Sequence, residues 1–112
     1  MFAGVWLLRE VLVITVRLVS GTKDIEPKEV RGHFAIHRPI VYWGPAKCWA
    51  VTHVPSGLFV CMVRSLIDAR LIIRQLRKLD GAIGWNATSP SDALLRGAGR
   101  IVQAYDQEDR AC

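Results

Sequence analysis

Apolar and polar positions along the chain follow two periods, first two and later near 3.6. From Val11 to Val19 the period is two, with Leu12, Ile14, Val16 and Leu18 on one face and Val11, Val13, Thr15, Arg17 and Val19 on the other. Enrichment in β-branched residues suits the strand this alternation predicts. Residues 1–10 are apolar without a period that separates a helical turn from the start of that strand. Ser20 to Glu29 is polar, contains Gly21 and Pro27, and predicts an exposed loop. Val30 to Trp43 predicts a further extended segment, with Phe34 and Ile36 on one side and His33, Ala35 and His37 on the other. Pro39 lacks an N–H donor, so this segment belongs at a sheet edge or is divided in two.

Lys47 to Val63 predicts a β-hairpin. Val54-Pro55-Ser56-Gly57 places Pro second and Gly fourth, the arrangement a type I turn favours, because proline presets φ and glycine tolerates the left-handed region. A three-residue loop of this kind sets Val54 opposite Leu58 and Val51 opposite Cys61. Trp49, Val51, His53, Phe59, Cys61 and Val63 then share one face, and Cys48, Ala50, Thr52, Val54, Leu58, Val60 and Met62 the other. Both faces are largely apolar, so both should be covered.

Beyond the hairpin the period changes to helical. Ser65 with Asp68 three residues on forms a capping box, and Asp80-Gly81 supplies a stop. Leu66, Ala69, Ile72, Ile73, Leu76 and Leu79 fall within an arc of about 140° in a helical projection, which is a core-facing stripe for a helix over about 66–79. A second helix over about 90–106 starts at Ser89-Pro90-Ser91-Asp92, with Ser89 as N-cap. Its stripe is Leu94, Ala98, Ile101, Val102 and Tyr105, and Gly97 and Gly99 suit close approach to a neighbour. The expected fold is α+β: a single domain over 1–112 in which an antiparallel sheet of three or four strands packs against two C-terminal helices.

Composition narrows the functional classes. At 112 residues the chain supports one core, and its 51% hydrophobic content argues against disorder and for some apolar surface shared with a partner. A net charge of +5 favours anionic partners. Three cysteines make an odd set, and Cys48 and Cys61 point to opposite faces of the hairpin, so no disulfide framework is expected. A reducing, cytoplasmic compartment follows. Arg9 and Glu10 interrupt the apolar N-terminus, leaving runs too short to span a bilayer.

Side chains that could carry chemistry do not assemble into a catalytic or metal signature. His33 and His37 on a strand would lie about 13 Å apart, too far to share one metal. Cys61 and His53 would share a face but sit out of direct pairing and without an orienting acid. Asp68 and Asp92 serve as caps, Asp24, Glu26 and Glu29 lie on a loop, Asp106, Glu108 and Asp109 belong to the polar tail, and Gly97-Ala98-Gly99 follows a helix start instead of a strand. No enzyme activity, cofactor or small-molecule substrate is expected. The leading site is the first helix, where Arg64, Arg70, Arg74, Arg77 and Lys78 face a single acid, Asp68. The arginine fork suits phosphate and carboxylate. The alternative is a solvated face; Ile67 and Leu71, beside the charges, favour a contact patch. Tyr42 and Trp43, with Trp49, Arg38 and Lys47 nearby, form a second, aromatic candidate that could stack bases.

The run YWGPAKCWAVTHVPSGLFV followed by a helix resembles small hairpin-helix proteins of bacteriophages and mobile elements over the middle third of the chain. The resemblance implies a phage origin and carries over no functional residues. Small phage proteins include inhibitors of host defence such as anti-CRISPR proteins. The expected function is therefore a non-catalytic binding protein that contacts nucleic acid, or the acidic side of a host nucleoprotein complex, through the basic helix. One alternative is a phage inhibitor of the anti-CRISPR type acting by protein-protein occlusion. Another is a structural subunit that homodimerises through its apolar sheet edge.

Overall fold

Two antiparallel sheets and two helices make up the computed structural model, which describes residues 5–8, 11–40, 47–79 and 84–107. Strands β1 (Val5–Leu8), β2 (Val11–Leu18) and β3 (Gly21–Ile25) form a three-stranded sheet in that order. Strands β4 (Glu29–Arg31), β5 (Phe34–His37), β6 (Trp49–His53) and β7 (Leu58–Val63) form a four-stranded one. Helices α1 (Leu66–Lys78) and α2 (Asp92–Gln107) follow. The α+β class stands, with the strands divided between two sheets. Among the described residues no helix is long and apolar enough to cross a membrane.

The four-stranded sheet is the middle layer, and the alternation along β5 shows why. Phe34 and Ile36 point to the helices, joining Val51, Cys61 and Val63 against Ala69, Ile72, Ile73 and Leu76 of α1 and Leu94, Ala98 and Tyr105 of α2. Ala35 points the other way and, with Val54 and Ile40, meets Ile14 and Val16 of β2. Fully burying each of these aliphatic side chains is worth about 1.5–3 kcal/mol. The hairpin turn also docks on β2: Arg17 N donates to Gly57 O at 2.7 Å, and a Cβ on Gly57 (φ +73°) would stand 3.0 Å from Thr15 O. Only glycine suits both that dihedral and that approach.

Several expectations are corrected. Ser20 to Glu29 is not all loop, since β3 pairs along β2. Its residues from Gly21 to Asp24 are exposed, so the backbone ladder forms without any apolar alternation to reveal it. The segment from Val30 divides at Gly32 and His33, where Gly32 at φ +60° turns β4 into β5, before Pro39 is reached. In the β6–β7 hairpin the pairs Trp49↔Val63, Ala50↔Met62 and Val51↔Cys61 are as expected, but Thr52 pairs with Phe59 and His53 with Leu58. Gly57 N closes a four-residue turn onto His53 O at 2.8 Å, and Val60 becomes the extra residue of a bulge. Val60 consequently packs on the helix side, and Leu58 turns towards α2.

A further correction concerns the cysteines. Cys48 is disulfide-bonded, while Cys61 is a free, buried thiol. The two are not joined to each other, as their opposite faces require, but cysteine usage no longer argues for a reducing compartment.

Both helices start on serine, one of them later than expected. At α1, Ser65 Oγ accepts from Asp68 N and donates to Asp68 Oδ2, both at 3.0 Å. At α2 the cap is Ser91: its Oγ accepts from Leu94 N at 3.3 Å and its carbonyl from Leu95 N at 3.0 Å, leaving Ser89 and Pro90 outside the helix. A Cβ on Gly97 would come within 2.9 Å of Leu79 Cδ1, whereas one on Gly99 would meet nothing within 4 Å. Of the two glycines, only Gly97 serves a close approach.

Candidate functional site

The cap and apolar stripe of α1 fix its rotation on the sheet, and that rotation turns the basic arc outward. Arg70, Arg74, Arg77 and Lys78 line a depression of about 550 Å³ together with Ile67, Leu71, Ile73 and Arg31, the last contributed by β4. Ile67 is 67% exposed, an unusual position for an isoleucine within a charged surface. Arg64 precedes the cap at the other end of the helix and does not line the depression.

One carboxylate divides these cations. Glu29 Oε1 accepts from Arg70 Nε at 2.9 Å and lies 2.8 Å from its Nη2, while Glu29 Oε2 pairs with Arg31 Nε. The bond from Arg70 and the charge of Arg31 hold the Glu29 carboxyl below the usual carboxylate range. Arg74, Arg77 and Lys78 have no ion pair among the described residues. Arg77 and Lys78 occupy the last turn of the helix, where cations also complement the negative end of its dipole. Arg77 lies against the β4–β5 turn: a Cβ on Gly32 would stand 2.9 Å from its Nε. The absence of that Cβ gives the guanidinium a flat backbone surface to rest on.

The aromatic candidate is only partly described. Tyr42 and Trp43 lie outside the described residues. Trp49 is half-buried against the core, with the Arg38 guanidinium 3.6 Å above its ring. That stack is a structural cation–π contact within the fold.

A second depression, of about 320 Å³, opens between the end of the β6–β7 hairpin and α2. Its rim gathers three exposed apolar side chains, Leu58, Phe59 and Leu95, and Gly99 leaves its wall open. At its back is a buried polar pair. His53 Nε2 donates to Trp85 O at 2.6 Å, so Nδ1 is free to accept from Ser56 Oγ at 2.7 Å. Trp85 Nε1 in turn donates to Leu76 O at 2.6 Å, the carbonyl at the end of α1 that also accepts from the C-cap amide of Leu79 at 3.0 Å. Ser56 Oγ also receives Leu58 N at 3.1 Å. These bonds tie the turn, α1 and the segment before α2 together, and the pair serves as a brace.

His37 behaves similarly on the opposite face, donating from Nδ1 to Arg38 O and accepting at Nε2 from Thr52 Oγ1, both at 2.8 Å. Burial lowers the pKa of both histidines, so each ring is neutral at physiological pH. Burial, with Asp106 nearby, pushes the Cys61 thiol up to about 12, which removes it as a thiolate nucleophile at neutral pH.

No family model, curated protein or solved structure matches this chain. The geometry alone therefore bears on function. Arg31, Glu29 and Gly32 were missed in the linear reading because β4 and its turn come to the basic helix from 41 positions away in sequence, the separation of Glu29 and Arg70. The Arg31-Gly32 pair inside an extended segment was the one available signal for a turn that presents a cation.

Proposed function

We propose that this chain is a non-catalytic binding protein that contacts nucleic acid, or the acidic side of a nucleoprotein complex, through the outer face of α1. The observation that carries the proposal is the convergence of Arg31, Arg70, Arg74, Arg77 and Lys78 on one depression with Ile67 and Leu71 exposed among them. Cations from two elements that are far apart in sequence form a single field, and three of them have no intramolecular ion pair among the described residues. Arginine forks bond phosphate oxygens in pairs, and a duplex or single strand offers such oxygens in series.

Anisotropy titration of a labelled short DNA duplex and of a single strand tests this. Binding should weaken as salt rises, and Arg74→Glu with Arg77→Glu should remove it. Salt-independent or absent binding overturns the proposal.

A second reading is favoured by the apolar rim of Leu58, Phe59 and Leu95. Together with the resemblance to small phage proteins, it supports an inhibitor of the anti-CRISPR type that occludes a partner's surface. A stable complex with a defined host protein that persists at moderate salt and is lost on Phe59→Glu would select that reading. Light scattering on the chain alone distinguishes both from a homodimer.

A further inference from the structure

Glu29 is the feature of the basic face that a simple polyanion site does not need. Among the described residues it is the one carboxylate bonded to the cations there, and it takes two of them, Arg31 and Arg70. Its oxygens stand where phosphate oxygens would, Oε1 on the Arg70 fork and Oε2 on Arg31 Nε. The remaining cations, Arg74, Arg77 and Lys78, continue the same face one turn further along α1.

We propose that the basic face holds two phosphate positions, one open at Arg74, Arg77 and Lys78, and one occupied by the carboxylate of Glu29 on Arg31 and Arg70. The inference rests on the polyanion reading above. Glu29 acts as an internal stand-in for a backbone phosphate: it keeps two guanidinium groups oriented and holds affinity below what five cations would supply. A phosphodiester strand lying along α1 engages the open position first and gains the second only by displacing Glu29. Without Glu29, both positions are available at first contact.

The test is the salt dependence of duplex binding in wild type, Glu29→Gln and Glu26→Gln. Each phosphate neutralised contributes about −0.9 to the log–log salt slope, so one open position gives the wild type a slope of about −0.9 and two positions give Glu29→Gln a slope of about −1.8, with about tenfold tighter binding at low salt. Glu26 is exposed on the loop before β4, and its neutralisation makes the same change in net charge without touching an arginine of the face. Glu26→Gln should leave the slope at the wild-type value. Arg70→Ala should abolish the gain in the Glu29→Gln background. Melting temperatures of all variants verify that the fold is intact.

An unchanged slope or weaker binding in Glu29→Gln, or the same gain in Glu26→Gln, overturns the second position. If binding still depends on Arg74 and Arg77, the polyanion reading survives that result. Absence of duplex binding by both wild type and Glu29→Gln overturns both.

Discussion

Two depressions flank the helical cover of this domain, and they differ in what their walls offer. The one on α1 is walled by four arginines and a lysine over an apolar floor, and the other, between β7 and α2, is walled by Leu58, Phe59, Val60, Leu95 and Val102 around a buried His53–Ser56 pair. In the first, charge that points outward is only partly neutralised within the fold. In the second, the His53 and Ser56 atoms at the back are bonded to one another and to Trp85 O, which leaves Gln103 and Asp106 as the polar side chains of an otherwise largely apolar lining. A surface that leaves its strongest groups unpaired is suited to binding, and one that consumes them is suited to holding itself together. The same Leu76 serves both regions, since its side chain is buried beneath α1 and its carbonyl anchors Trp85.

The comparison can be broken most directly by charge. Arg74→Glu with Arg77→Glu should reduce polyanion affinity by about 100-fold or more at low salt, while Leu95→Glu on the rim of the apolar cleft should leave it within about threefold, because one charge far from the contact is screened. Equal losses from the two variants would show that binding follows net charge and not the α1 face. Next in size is Leu76→Ala, expected to cost about 2–5 kcal/mol in denaturant unfolding because it opens a cavity in the core that both regions share. A cost under about 1 kcal/mol would mean that α1 is less firmly seated than its burial indicates.

Acid should act on the braces before it acts on the basic face. His37 and His53 have pKa values lowered in the folded state, so the unfolded chain binds the extra protons first. Their contribution to stability is fully present above the ordinary histidine value near pH 6.5 and is lost as pH falls through the lowered folded values. Unfolding free energy measured between pH 8 and pH 5 should be flat at the upper end and decline below about pH 6.5, and His53→Gln should reduce that decline. An equal decline in the variant would remove His53 from the explanation.

The smallest effects separate the two glycines of α2. Gly97→Ala should destabilise by about 1 kcal/mol through contact with Leu79, and Gly99→Ala should stabilise by about 0.5–1 kcal/mol because alanine is the better helix former and meets open space. The same sign for both would contradict the packing described around Leu79.

Much of the fold was legible where local rules and tertiary packing agree. Ser65 and Asp68 cap α1 as a pair of adjacent functional groups must, and the apolar stripes of both helices became their buried faces. The α2 start was misplaced by two residues because Ser89 and Ser91 offer the same hydroxyl, and only the path of the chain selects which one meets the Leu94 amide. β3 carries no periodic signal, and Trp85 sat in what read as a linker, although its indole and carbonyl join α1 to the hairpin.

By itself the order of residues determined the α+β class, the hairpin, the two helices and the basic arc of α1, since each depends on periods and caps that act over a few positions. Tertiary structure alone decided the rest. The division into two sheets, the bulge at Val60, the bonding of the buried histidines and the meeting of Arg31 and Glu29 with Arg70 all depend on contacts between segments distant in sequence. Such contacts are set by how whole faces exclude water together, and no local pattern encodes which partner a side chain finds across that distance.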